Sequence, residues 1–223
     1  MALTAAIYAR PNPTLVFLGS TFSASDLTTY TFSAQSLGKP DHCRTIIVGV
    51  HSEDAATNYS ISSITVQDIA ATSAVSIGTS PAIKAAIWTA PVRSGWIGDV
   101  VITFSEAITC CGISLWAAYN LRSNTLTDSN TSATDAGPTA VSTHAHGIVI
   151  AVSTNAAAGD TCTWTGGPGL TEQYDVNATD IQMTGASAVL TAAGGTPAAG
   201  GRFNVVADYV TGTAVQNVAA SFR

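Results

Sequence analysis

Short runs of two-residue alternation and of β-branched residues, broken by glycine, proline and asparagine, predict an all-β protein. The architecture expected is an antiparallel β-sandwich, jelly-roll-like or immunoglobulin-like. Three observations carry this. Residues 29–33 (TYTFS) alternate polar with aromatic, as in a strand with one buried face, whereas residues 44–51 (RTIIVGVH) run continuously apolar, as in a strand covered on both faces. Turn formers recur about every 8 to 12 residues, the spacing of sandwich strands. No stretch carries an apolar stripe at helical spacing over a dozen positions with caps at its ends. Links this short leave no room for crossover helices, which excludes a parallel α/β sheet.

In chain order, residues 1–20 read as an extended N-terminal arm and first strand, with Pro11 and Pro13 holding the lead-in extended. Such an arm either docks on a neighbouring subunit or simply begins the first strand. Residues 21–223 read as a single β-sandwich domain. Strands are expected at 29–33, 44–51, 61–66, 74–77, 83–88, 100–104 and 111–119, with Gly98 and Asp99 forming a turn. The second half continues with strands at 147–153, 161–164, 186–193, 203–206 and 218–222. Between the halves, residues 121–138 (LRSNTLTDSNTSATDAGP) are polar and rich in turn formers, so they read as a long surface loop. Residues 194–201 (GGTPAAGG) read as a flexible hairpin tip. The half after the long loop is short, and its strands look like the second sheet that the first half lacks. One domain is therefore expected.

Composition narrows the function. At 223 residues the chain buries a sizeable core without needing a disulfide or metal staple. Charged residues make up 10% of it, against about 25% in ordinary globular domains, and the lysines are Lys39 and Lys84 alone. The surface must then be largely Ser, Thr, Asn, Gly and Ala. Net charge is −6 with no basic run, so no phosphate backbone is courted and nucleic acid is not an expected partner. Apolar runs fall far short of the ~20 residues of a membrane helix, so no membrane insertion is expected. Residues 1–6 do not read as a secretory signal.

Candidate chemistry is sparse. Cys110 and Cys111 are adjacent, so on a strand they face opposite ways, and the spacing of Cys43, Cys110, Cys111 and Cys162 fits no zinc pattern. Reduced, partly buried thiols are expected. His144 and His146 would share one face of a strand at a chelating distance, but no third ligand is evident. His42 and Cys43 would face apart on a strand, which leaves the thiol without a base. Glu53 with Asp54, and Glu172 with Asp175, are acid pairs that read as hydrated loop residues. The G-x-S-x-G elbow and the phosphate-loop signatures are absent, and Gly166, Gly167 and Gly169 lie in a loop between strands. No catalytic residue, metal ligand or cofactor site is therefore expected. Among the tryptophans, Trp116 falls in an apolar strand and belongs to the core. Trp96 sits in a glycine-flanked turn and is the expected exposed contact. Trp164 and Tyr174 join it as candidate interface or glycan contacts.

Five stretches together resemble a known group: TFSAQSLGKPDHCRTIIVGVHS from Thr31, SSITVQDIAAT from Ser62, IWTAPVRSGWIGDVVITFSEAITCCGISLWAAYNL from Ile87, TWTGGPGLTEQYD from Thr163 and GASAVLTAA from Gly185. From about Thr21 onward the chain is similar to β-rich virion proteins of tailed phages and gene-transfer-agent-like elements of alphaproteobacteria. The shared motifs are strand and turn patterns, so no functional residue carries over. The resemblance implies a virion part, assembled in the host bacterial cytoplasm, without cofactor. On this reading the chain is a structural component displayed on the particle surface: capsid decoration, head fibre or spike, or tail tip. Its partners are other virion proteins and further copies of itself. A carbohydrate-binding module for host surface polysaccharide is the alternative, and an enzyme such as a depolymerase is the least supported.

Overall fold

The computed structural model describes residues 11–54, 58–78, 83–190, 201–212 and 214–223. The arm up to residue 10 and residues 194–200 of the hairpin tip lie outside them. The first half supplies β1 (Thr14–Ser23), β2 (Leu27–Ser36), β3 (Thr45–Glu53), β4 (Ile61–Val66), β5 (Ile69–Ala70), β6 (Thr72–Ile77), β7 (Ile83–Ala90), β8 (Ile97–Ile108) and β9 (Cys110–Tyr119). The second half supplies β10 (Leu126–Ser132), β11 (Thr139–Ser142), β12 (Ile148–Asn155), β13 (Cys162–Gly166), β14 (Thr171–Ala178), β15 (Ile181–Val189), β16 (Arg202–Tyr209) and β17 (Val215–Phe222). No helix occurs among the described residues.

All pairings are antiparallel, and they make four sheets. Sheet A is ordered β1-β9-β3-β7-β6, sheet B β2-β8-β4-β5, sheet C β10-β17-β12-β15-β14 and sheet D β11-β16-β13. Sheets A and B close on a core of Tyr30, Ile46, Val48, Ile64, Ile102, Phe104 and Leu115. The other face of sheet A meets sheet C through Ile47, Ile87, Trp116, Ile150, Met183 and Phe222. Sheet C in turn packs on sheet D through Val149, Ala151, Ala219, Phe203 and Val205. The stack is thus B-A-C-D. The expected antiparallel β-sandwich architecture holds, and it occurs twice, back to back, because the second half brings two sheets of its own.

Layer position explains the two sequence patterns. β3, β9, β12 and β17 lie in sheets covered on both faces, and nearly every residue in them is buried. β2, β8 and β16 belong to the outer sheets and alternate buried with exposed. Cys110 and Cys111 show the same logic at one step. Cys110 enters the A–C interface and Cys111 the A–B core.

Both halves follow one connectivity. Counting β5 and β6 as one strand, each half has eight strands in the order one-eight-three-six-five, facing two-seven-four. This is the jelly-roll plan with strand five moved to the flank of strand six, and it decides against the immunoglobulin topology. In the first half strand five belongs to two sheets. Its start pairs with β4, Ala71 donates its N–H to the Ile64 carbonyl at 2.9 Å, and its continuation pairs with β7. The halves also meet reciprocally, with β1 against β14 and β6 against β10.

Three strands differ from expectation. Residues 126–132 of the predicted loop form β10, an edge strand on β17 whose polar groups are satisfied locally. Asp128 accepts from the Ser142 amide at 2.6 Å, and Asn130 donates to the Ala140 carbonyl at 3.1 Å. β11 pairs with β16, and β14 is the edge of sheet C rather than a loop. The predicted turn at Gly98 and Asp99 instead lies inside β8, opposite a bulge in β2 where Ala34 adopts φ 55° and donates to Asp99 at 2.8 Å.

The inner sheets approach closely at Gly49 of β3. A Cβ there would fall 2.7 Å from Val152 Cγ1 and closer still to Ser114 Oγ. Gly49→Ala is expected to lower unfolding stability by about 1–3 kcal/mol through overpacking, read as a shifted urea midpoint with unchanged slope.

Candidate functional site

The largest buried polar network joins the two halves. Tyr174 of β14 donates its hydroxyl to Ser114 Oγ at 2.8 Å and lies 2.8 Å from His51 Nε2. His51 Nδ1 lies 2.8 Å from Thr154 Oγ1, which also donates to the Lys84 carbonyl at 3.3 Å. The ring of Phe17 stacks on Tyr174 at 5.4 Å, and Trp116 completes a three-ring cluster, 6.0 Å from Tyr174 and 5.4 Å from Phe17. Burial drives the His51 pKa down to about 3, so the imidazole is neutral in the folded protein. A histidine, a tyrosine and a serine in contact invite a catalytic reading. The arrangement holds no carboxylate, and His51 and Ser114 have no exposed surface. Its chemistry is registration of sheet A on sheet C.

At the end of β3 sits a second titratable group. Glu53 has one buried carboxylate oxygen without a hydrogen-bond partner. Burial pushes its pKa up to about 7, and the charges of Asp180 and Asp54 add to the shift. Asp54 is itself buried. These two are therefore not hydrated loop acids. Nor are they posed across a cleft.

The surface feature that stands out is a loop held from beneath. Arg44, at the start of β3, is 1% exposed. Its Nε donates to the Val92 carbonyl at 2.7 Å, Nη1 to Gly38 at 2.8 Å and Nη2 to Ser94 at 2.6 Å. A guanidinium spreads donors in a fixed fork, so one side chain fixes two loops at once. Leu37 donates its amide to the Trp96 carbonyl at 2.8 Å, which ties the loop to the end of β2. Gly95 supplies the positive φ of 76° that the turn requires, with Gln67 packed against it. What this brace presents is Trp96, 63% exposed, and Ile97, 61% exposed.

The other predicted contacts do not join Trp96. Trp164 is half-buried on β13, with its indole N–H donating to Thr184 Oγ1 at 2.7 Å, so it fills the space between sheets D and C. Tyr174 is buried in the A–C interface and offers nothing to a glycan. Asp175 is engaged by the Cys162 amide at 3.1 Å and by Gln182 at 2.6 Å, while Glu172 shares its edge strand, with burial raising its pKa. His144 and His146 lie in a turn rather than on a strand face. His146 adopts φ 62°, and its Nδ1 is 2.7 Å from Asn12 Oδ1. All four cysteines are free thiols, and Cys43 is exposed while the other three are buried. Sequence reasoning missed the Arg44 brace, whose partners are backbone carbonyls up to 50 positions away. It also missed the turn geometry that brings Asp41, His42 and Cys43 together.

Compared with known proteins, the chain matches no family model and no curated protein.

Two predictions follow from these interiors. Arg44→Met leaves three carbonyls without their charged donor and is expected to cost about 2–4 kcal/mol in denaturant unfolding. For Glu53 the folded-state pKa lies above the unfolded value, so the folded protein holds a proton that the unfolded chain has already released. Stability from this group is therefore complete below about 4.5 and is lost as pH rises to about 7. Glu53→Gln should flatten that limb, melting higher than the parent at pH 8 and level with it at pH 4.

Proposed function

We propose that this protein is a non-catalytic structural component of a virion, displayed on the particle surface and acting through protein–protein contacts. The observation that carries the reading is the braced Trp96–Ile97 pair. A buried arginine is spent on fixing a loop whose tip is apolar and open to solvent. Rigid aromatic anchors of this kind dominate protein contacts, because little side-chain freedom remains to be lost on binding. The jelly-roll plan recurs in viral capsid and lectin domains and so suits the role. The sequence resemblance to phage and gene-transfer-agent virion proteins supplies the setting. Low charge and outer sheets rich in serine and threonine suit a part that touches neighbours over much of its surface.

Carbohydrate attachment remains the second reading, because an exposed tryptophan on a fixed loop is also a sugar platform. The two part experimentally. Trp96→Ala combined with Ile97→Ser is expected to leave the melting temperature unchanged and to reduce incorporation into purified particles by tenfold or more, measured by quantitative mass spectrometry. Full incorporation of the variant would refute contact through this loop. Wild-type binding on a glycan array that is lost in the variant would favour the attachment reading.

A further inference from the structure

The loop between β2 and β3 carries a second feature, independent of the proposed role. Asp41, His42 and Cys43 are consecutive, and on a strand their side chains would diverge. In the structure they occupy a tight turn, closed by the Arg44 amide donating to the Asp41 carbonyl at 3.0 Å. The Asp41 carboxylate accepts from the Cys43 amide at 2.8 Å, which folds the carboxylate back over the turn. One ligating atom from each of the three side chains lies within 4.8 Å of the others. Among the described residues, this is the group of three or more His, Cys, Asp or Glu side chains that converges in this way.

We infer that Asp41, His42 and Cys43 form a surface site for a thiophilic divalent transition ion such as zinc, with its fourth position open. The Asp41 Oδ1 to His42 Nδ1 distance is 3.3 Å. Metal–ligand bonds of 2.0–2.2 Å in a tetrahedron require donor separations of about 3.3–3.6 Å, so this edge already has the necessary length. The sulfur needs a slightly longer separation, and the exposed Cys43 side chain reaches it by rotation alone. His42 is 88% exposed at its side chain, so no packing has to be broken to turn the imidazole. The backbone beneath is fixed. Arg44 holds Gly38 from the inside, and the Tyr119 hydroxyl donates to the Lys39 carbonyl at 2.9 Å. Ligands on a fixed turn lose less freedom on binding than ligands on a loose one.

Charge is the objection to be met, because Arg93 and Arg122 border the same shallow depression as His42 and Cys43. Metal binding releases the thiol proton, so the donors become one thiolate, one carboxylate and a neutral imidazole. Two negative ligands match a divalent ion. The guanidiniums then face a neutral complex rather than a cation.

Cobalt is the probe for this site, because a thiolate–cobalt bond gives a charge-transfer absorption and four-coordinate cobalt gives intense visible ligand-field bands. Titration of the reduced protein with cobalt(II) is expected to saturate both at one ion per chain, with zinc displacing the cobalt. Cys43→Ser should abolish the charge-transfer band, and His42→Ala should weaken zinc affinity by about tenfold or more. His144→Ala with His146→Ala should change neither. Circular dichroism checks that each variant is folded, which is expected because His42 and Cys43 are exposed and His144 and His146 lie in a surface turn. A band that survives Cys43→Ser, or the absence of any thiolate band in folded wild-type protein at millimolar cobalt, would overturn the assignment.

Discussion

The fold depends on the burial of sheets A and C against each other while each also covers an outer sheet. A strand enclosed on both faces has no solvent side on which to park polar groups, so β3, β9, β12 and β17 are apolar or small along nearly their whole length. While the Trp116 indole nitrogen and one Glu53 carboxylate oxygen have no partner among the described residues, several polar side chains that remain there find theirs inside. His51, Thr154, Tyr174 and Ser114 do so as one chain of hydrogen bonds. Ser153 does so within the second sandwich, where Tyr209 donates to its hydroxyl at 2.7 Å and Ser153 in turn bonds Asn217. An unpaired group at either place would cost about 1–3 kcal/mol, so the pattern of buried polar residues is as constrained as the pattern of buried apolar ones.

Repetition of one strand plan organises the architecture. The same eight-strand plan occurs twice, and the reciprocal contacts, β1 on β14 and β6 on β10, are those of a twofold dimer joined into one chain. β3 reads TIIVGVHSE and β12 reads IVIAVSTN, similar in composition and equivalent in position. The copies are not equal in decoration. The Arg44 brace, the exposed Trp96 and the Asp41–His42–Cys43 turn all belong to the first.

Much of the strand content was legible, and the layers were not. The stretches around residues 44–51, 111–119 and 218–222 announce themselves because their apolar residues are β-branched and continuous. β10 is silent because LTDSNTS is stabilised by side-chain bonds to Ser142 and Ala140 rather than by apolar burial. β14 is silent for a related reason. Its carboxylates and amides are engaged by neighbours, which makes TEQYDVNA look like a hydrated loop. The coexistence of continuous and alternating strands in both halves was the signal for four layers rather than two. Of the site, Trp96 was readable from its glycine-flanked turn, whereas Tyr174 and Trp164 were drawn inward by layers that the sequence does not reveal. Arg44 looked like one more residue at a strand start, since its partners are carbonyls that belong to no motif.

Strand five gives the two sandwiches unequal mechanics. In the first, the stretch from Ile69 to Ile77 is hydrogen-bonded to β4 at one end and to β7 at the other, so the backbone itself stitches sheet B to sheet A. Its counterpart β14 pairs with β15 alone and reaches β13 through side chains, as where the Cys162 amide donates to the Asp175 carboxylate at 3.1 Å. A shearing load between layers therefore meets a continuous backbone ladder at that border in one sandwich and side-chain bonds in the other.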